Sequence, residues 1–179
     1  MSTGLRFGEA AALRWSDVDL EARSITVRHT ITRHSNKGFA FTEPKTASSR
    51  RTIPPPTAAV DALKGQRTAV KEMRLLAGPR WSDHDLVFPS SVGTPLRESH
   101  LIVVFHKTLE RAGLPRRRIH DLRHTYATRL FALRNHPRAV QELMGHSRFE
   151  ITMDTYTGSV PAVLREAADR LDNIFEHAV

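Results

Sequence analysis

The reading turns on Ile119-His120-Asp121-Leu122-Arg123-His124-Thr125-Tyr126-Ala127-Thr128. The composition favours a helix over 120–133, and on a helix His120 and Arg123 lie one turn apart on one face with His124 beside them. Leu122, Tyr126 and Leu130 recur at four-residue spacing on another face and read as core. His124 therefore reads as a packed or hydrogen-bonded helper of His120 and Arg123. Two histidines at this spacing also suit a helical metal pair. However, the glutamate of His-Glu-x-x-His is missing, and a neighbouring guanidinium would repel a cation.

Downstream, Leu143-Met144-Gly145-His146-Ser147 ends a helix over 137–144 at its glycine, which places His146 at a turn. Thr152-Met153-Asp154-Thr155-Tyr156-Thr157 follows near the end of a helix over 149–156. The chain has two tyrosines, and Tyr126 belongs to the apolar stripe; Tyr156 taken alone would also read as structural, and its weight comes from the motifs that accompany it. Upstream, Pro44-Lys45-Thr46-Ala47-Ser48-Ser49-Arg50-Arg51-Thr52-Ile53-Pro54 reads as a basic, hydroxyl-rich loop between short strands. Taken alone it reads as an exposed loop with ordinary surface lysine and arginines, although such a loop can reach a nucleic-acid groove and carry an ammonium group to a phosphate oxygen. Thr3-Gly4-Leu5-Arg6-Phe7-Gly8-Glu9 puts Arg6 at the start of a helix, three residues before Glu9. Taken alone, that pair is an ordinary surface arginine and glutamate one turn apart.

The intervening sequence supplies the frame. Residues 7–15 are helical in composition, with a break at Ser16-Asp17. Residues 24–34 are rich in β-branched side chains and read as one strand, turned by Ser35-Asn36-Lys37-Gly38 into two more short strands at 39–44 and 50–53. Pro54-Pro55-Pro56 closes the sheet, and Thr57 is placed to cap a helix running to about Leu76, stopped by Gly78-Pro79. A further helix is expected over 97–112 and an amphipathic one over 160–176. The fold class is mainly α with a small antiparallel β-sheet (α+β).

Composition narrows the function. With no cysteine among 179 residues, disulfides and thiol catalysis are excluded. No apolar run reaches the length of a membrane span. The net charge is +8 and unevenly spread: +4 over residues 1–53, +1 over 54–105, +7 over 106–138 and −4 over 139–179. A concentrated basic face suits a polyanion, because neutralised phosphates release counterions. Arg50, Arg51, Arg116, Arg117 and Arg118 are the expected DNA contacts.

In series, these stretches resemble the signature of the tyrosine recombinases, the phage-integrase family, across residues 3–158. That pattern is an arginine in Thr-Gly-Leu-Arg-x-x-Glu, a lysine on a β-hairpin, a His-x-x-Arg-His box, a Leu-x-Gly-His box and a tyrosine about ten residues on. Here they fall on Arg6, Lys45, His120 with Arg123, His146 and Tyr156. The resemblance implies a recombinase catalytic fold, with residues 1–179 forming a single catalytic domain that includes the C-terminal helix 160–176. The family's N-terminal core-binding domain is expected to be absent. It implies site-specific DNA recombination, integration or excision, without cofactor or metal. Tyr156 would attack a phosphodiester to give a 3′-phosphotyrosyl link and a free 5′-hydroxyl. Arg6, Arg123 and His146 would stabilise the phosphate, His120 would take the tyrosine proton and Lys45 would protonate the leaving oxygen.

The implied partners are double-stranded DNA and other protomers, joined through the C-terminal helix in a synaptic tetramer. On its apolar stripe alone, that helix reads slightly in favour of packing on its own domain. No membrane partner is expected, and the implied setting is the cytoplasm of a bacterium or a phage host. Two rivals stand beside this reading: a type IB topoisomerase, which shares the tyrosine chemistry but relaxes supercoils, and a DNA-binding remnant without turnover.

Overall fold

The structure is a computed structural model that describes residues 3–34, 38–44 and 49–145. Lys45, His146, Tyr156, the helix expected over 149–156 and the segment 160–176 lie outside the described residues. Among the described residues the fold is mainly α with small antiparallel sheets, as the sequence leads one to expect. The helices are α1 (Phe7–Ala12), α2 (Thr57–Ala77), α3 (Glu98–Arg111), α4 (Ile119–Ala132) and α5 (Pro137–Met144). The strands are β1 (Val18–Asp19), β2 (Ser24–Val27), β3 (Thr30–His34), β4 (Gly38–Thr42) and β5 (Arg51–Ile53). No described helix is long and apolar enough to cross a membrane.

The strand expected over 24–34 is two strands in two sheets. β2 lies between β1 and β5, with Ile25 opposite both Val18 and Ile53. β3 leaves that sheet after Arg28-His29 and, among the described residues, pairs only with β4, from Thr30↔Thr42 to His34↔Gly38. The break has a packing cause. Alternation buries Ile25 and Val27 in the core, whereas β3 runs against α1. A Cβ on Gly8 would stand 2.5 Å from the Thr30 hydroxyl, so the glycine allows this close approach. Arg28, at the break, turns aside to pair with the buried Asp17 at 3.3 Å.

Two helix details also differ from expectation. Thr57 is the first residue of α2 rather than its cap; Pro56 is the N-cap, and the Thr57 hydroxyl accepts a hydrogen bond from Arg23 instead. On α4 the fully buried stripe is Arg123, Ala127 and Phe131, while Leu122, Tyr126 and Leu130 are half-buried beside it. A stripe at i, i+4, i+8 must face the densest packing, and here that is α5. The guanidinium of Arg123 is thus carried into the interior on the same face as the core.

Two apolar clusters hold the fold. Leu13, Ile25, Leu63 and Val87 join α1, the three-stranded sheet and α2. Ala127, Phe131, Val140 and Met144 join α4 to α5. The His136 ring caps α5 by accepting the Arg138 amide, and Pro137 suits its first turn, where an amide hydrogen is not needed. Glu9, Asp17 and Arg123 are charged residues buried alongside them.

Candidate active site

Arg6 is the N-cap of α1 and is fixed at both ends. Its backbone amide donates to Glu9 Oε2 at 2.8 Å and its Nη1 to Glu9 Oε1 at 2.8 Å. Its Nη2 reaches across 139 residues to the carbonyl of Gly145 at 3.1 Å. The approach depends on Gly4, whose φ of +61° places it where a Cβ would stand 2.5 Å from the Tyr126 ring. Tyr126 thus packs against the arginine's own turn, and burial raises its phenol above the ordinary tyrosine value. The sequence reading of Tyr126 as structural agrees with this placement.

Glu9 does not behave as an exposed helical partner. Its side chain is 4% exposed, against 40% for Arg6. Its second partner is Arg51, 6% exposed, which grips both carboxylate oxygens: Nη1 to Oε1 at 3.1 Å and Nη2 to Oε2 at 2.9 Å. Burial alone would push the Glu9 carboxyl up. The hydrogen bonds and charge of Arg51, with the hydrogen bonds of Arg6, outweigh it and hold the pKa below the usual glutamate value of 4.5. Glu9 is therefore an ionised carboxylate shared by two guanidiniums.

Arg123 enters from α4. Its Nη1 donates to the Gly4 carbonyl and its Nη2 to the Met144 carbonyl. Burial, then the positive charges of Arg6 and Arg51, push its pKa down to about 10, with Glu9 opposing. It remains charged at neutral pH. Arg51 Nε donates to the Leu143 carbonyl at 2.9 Å. Three guanidiniums consequently take three successive carbonyls, 143, 144 and 145, where α5 ends and the helix dipole is negative. Gly145 caps that end in the left-handed region at φ +61°.

His120 stands on the first turn of α4, with its ring edge-to-face against His124 at 4.9 Å. Partial desolvation, then the charges of His124, Arg123 and Arg118, hold its pKa below the ordinary 6.5, while Asp121 pulls the other way. A neutral imidazole can accept a proton. Among the described residues no cluster of three metal-type ligands surrounds the pair. Arg6, His120 and Arg123 all border one cavity of about 470 Å³, whose remaining wall is largely apolar, including Leu5, Leu63, Phe88 and Leu101.

The expected DNA-contact arginines separate. Arg116 and Arg117 are exposed just before α4. Arg118 is exposed too but closes a capping box with Asp121, and Arg50 pairs with Glu43. Arg51 is not on the surface where the sequence reading put it. Strand alternation turns residues 51 and 53 to the same inward side, and that signal was present in the Arg51-Thr52-Ile53 pattern. Glu9 and Arg51 are the site residues that motif reading undervalued.

Three guanidiniums against one carboxylate leave an excess of two positive charges at a half-buried place, which calls for an anion. The fold that presents them is the catalytic-domain fold of the tyrosine recombinases. The sequence matches the phage integrase family over residues 1–162, and the chain belongs to that family.

The chain is 35% identical over 184 residues to a XerC-like tyrosine recombinase of Caldanaerobacter subterraneus, covering 97% of this chain and 47% of that protein. It is 31% identical over 175 residues to the ICEBs1 integrase of Bacillus subtilis, covering 96% and 46%. The chain thus spans about half the length of the curated relatives it matches. Among solved structures it resembles the Tn1549 transposon integrase in complex with transposon right end DNA (TM-score 0.72, 29% identity, 93% of this chain and 56% of that one). It also resembles the XerA recombinase (TM-score 0.66, 28% identity, 94% and 52%).

Proposed function

We propose that residues 1–179 form the catalytic unit of a site-specific DNA recombinase that breaks and rejoins DNA through a phosphotyrosine. The observation that carries this reading is the uncompensated guanidinium cluster of Arg6, Arg51 and Arg123 around Glu9, opening beside His120. A phosphodiester under attack gathers negative charge on its non-bridging oxygens, and fixed guanidiniums meet that charge with a planar fork. Arg123 commits two of its five N–H donors to backbone and retains the others for a ligand.

Arg6 and Arg123 hold the phosphate, and His146 adds a hydrogen bond to it. His120 accepts the proton of Tyr156 as that oxygen attacks phosphorus, giving a 3′-phosphotyrosyl link. Lys45 delivers a proton to the departing 5′-oxygen. Attack by a second strand's 5′-hydroxyl then releases the tyrosine and joins the new strands, conserving the phosphodiester energy. The partners are double-stranded DNA, contacted by Arg50, Arg116, Arg117 and Arg118, and further protomers engaged through residues 160–176. The setting is the cytoplasm.

The test is covalent capture from a pool of nicked duplexes of randomised sequence. A protein–DNA adduct that forms with the unaltered chain and disappears in Tyr156→Phe is expected. DNA binding without adduct would replace this reading with that of a binding remnant. Relaxation of a supercoiled plasmid without two-site recombination would replace it with a topoisomerase.

A further inference from the structure

We infer that Arg51 is a positioning residue of the active site: it aligns Arg6 and the end of α5 through a closed ring of hydrogen bonds, and it touches no DNA. This rests on the proposed chemistry for its functional meaning, although the ring itself is geometric.

The ring runs as follows. Arg51 Nη1 and Nη2 hold the two oxygens of Glu9. The same two oxygens hold Nη1 and the backbone amide of Arg6. Arg6 Nη2 holds the Gly145 carbonyl, and Arg51 Nε holds the Leu143 carbonyl two residues earlier, which closes the circuit. Glu9 receives four hydrogen bonds, two from each arginine, so its carboxylate plane cannot turn without breaking several at once. Arg51 also donates from Nη1 to the Ser49 carbonyl at 3.3 Å. With four donor contacts engaged, and no place among the described residues lining the cavity that Arg6, His120 and Arg123 border, it has little left to offer a phosphate. Its guanidinium fills the space beside Gly145, where a Cβ would stand 2.7 Å from Nη1. The direction of the Arg6 fork and the point from which the chain departs toward His146 are therefore set by one side chain on β5.

Lysine cannot reproduce this. A single ammonium supplies charge to Glu9 but has no planar fork that spans a carboxylate and a carbonyl together. Arg51→Lys keeps the buried charge balance, so it tests alignment with less disturbance to folding than Arg51→Gln, which strands a buried carboxylate.

Three measurements on the full chain decide the matter. Arg51→Lys should slow single-turnover adduct formation at saturating DNA by about 100-fold while duplex affinity stays within about twofold, because a small misplacement costs rate rather than binding. A parallel loss of rate and affinity, or an unchanged rate, overturns the proposal. A substrate with sulfur at the 5′-bridging position departs as a thiolate and needs no proton. It should restore Lys45→Ala but not Arg51→Lys, and restoration of Arg51→Lys would show that the residue acts through the Lys45 loop instead. Amide hydrogen exchange of Leu143–Gly145 in the DNA-free protein should quicken in Arg51→Lys, and unchanged exchange overturns the ring independently of any chemistry. Absence of an adduct with the unaltered chain would count against the recombinase reading alone, leaving the exchange measurement to judge the ring.

Discussion

At the scale of the residue, Glu9 shows how far a motif can be read and where it stops. The spacing Arg6 to Glu9 announces an ion pair, and the pair is present. What spacing cannot announce is burial: the same i, i+3 pair is ordinary on a surface and consequential in an interior, and only the approach of Arg51 from β5 decides between them. Glu9→Gln should cost about 3–5 kcal/mol of stability at neutral pH, since it removes the carboxylate that Arg6 and Arg51 share and leaves the buried Arg51 guanidinium without its counter-charge. The pH dependence has a definite sign. The folded pKa of Glu9 lies below 4.5, so the folded state binds fewer protons than the unfolded state in that window. Its stabilisation is complete above the unfolded value and is lost as pH falls through the folded one. Urea unfolding followed from about pH 7 down to about pH 3 should lose this part of its acid slope in Glu9→Gln. An unchanged slope would mean that Glu9 titrates alike in both states.

At the scale of the element, helix spans were legible because apolar periodicity and Gly/Pro punctuation agree along the chain. The helices expected over 97–112, 120–133 and 137–144 are observed as Glu98–Arg111, Ile119–Ala132 and Pro137–Met144. The division of 24–34 into two strands was not legible, because it depends on α1 packing against β3 through Gly8, a contact between distant segments. Nor was the burial of Arg123 legible, since polarity argued for the other face of α4. The end of α5 offers a test of element geometry. Gly145 and Gly113 both have positive φ, +61° and +65°, but a Cβ on Gly113 meets nothing within 4 Å while one on Gly145 meets the Arg51 guanidinium. Each alanine substitution carries the left-handed strain of about 1–2 kcal/mol. Gly145→Ala must in addition displace Arg51, so its unfolding midpoint should fall clearly further than that of Gly113→Ala. Equal losses would show that Arg51 yields freely and that the α5 terminus is not tightly held.

At the scale of the molecule, the sequence located the charge but not its use. Nine basic and two acidic residues between 106 and 138 mark a strongly basic segment, yet composition treats every arginine alike. The structure divides them into cations spent internally and cations left for solvent. Arg51, outside that segment, is spent on Glu9, whereas Arg123 anchors to the Gly4 and Met144 carbonyls while bordering the cavity. Arg118 is partly spent on Asp121, whose carboxyl it holds below the usual range through its hydrogen bonds. Arg116 and Arg117 are exposed beside the site. This division predicts different salt dependences on any duplex, whatever its sequence. Each phosphate contact contributes roughly 0.9 to the slope of log affinity against log salt, so Arg116→Gln with Arg117→Gln should flatten the slope by about 1.8. Arg118→Gln should flatten it by less, because its guanidinium must leave Asp121 before it can neutralise a phosphate. Arg51→Gln should leave the slope where it was, because a buried cation releases no counterions from DNA. A fluorescence-anisotropy titration of a short duplex over a range of salt concentrations checks all three. A slope that responds to Arg51 but not to Arg116 and Arg117 would place the DNA on the opposite side of β5 and reverse the assignment of inner and outer cations.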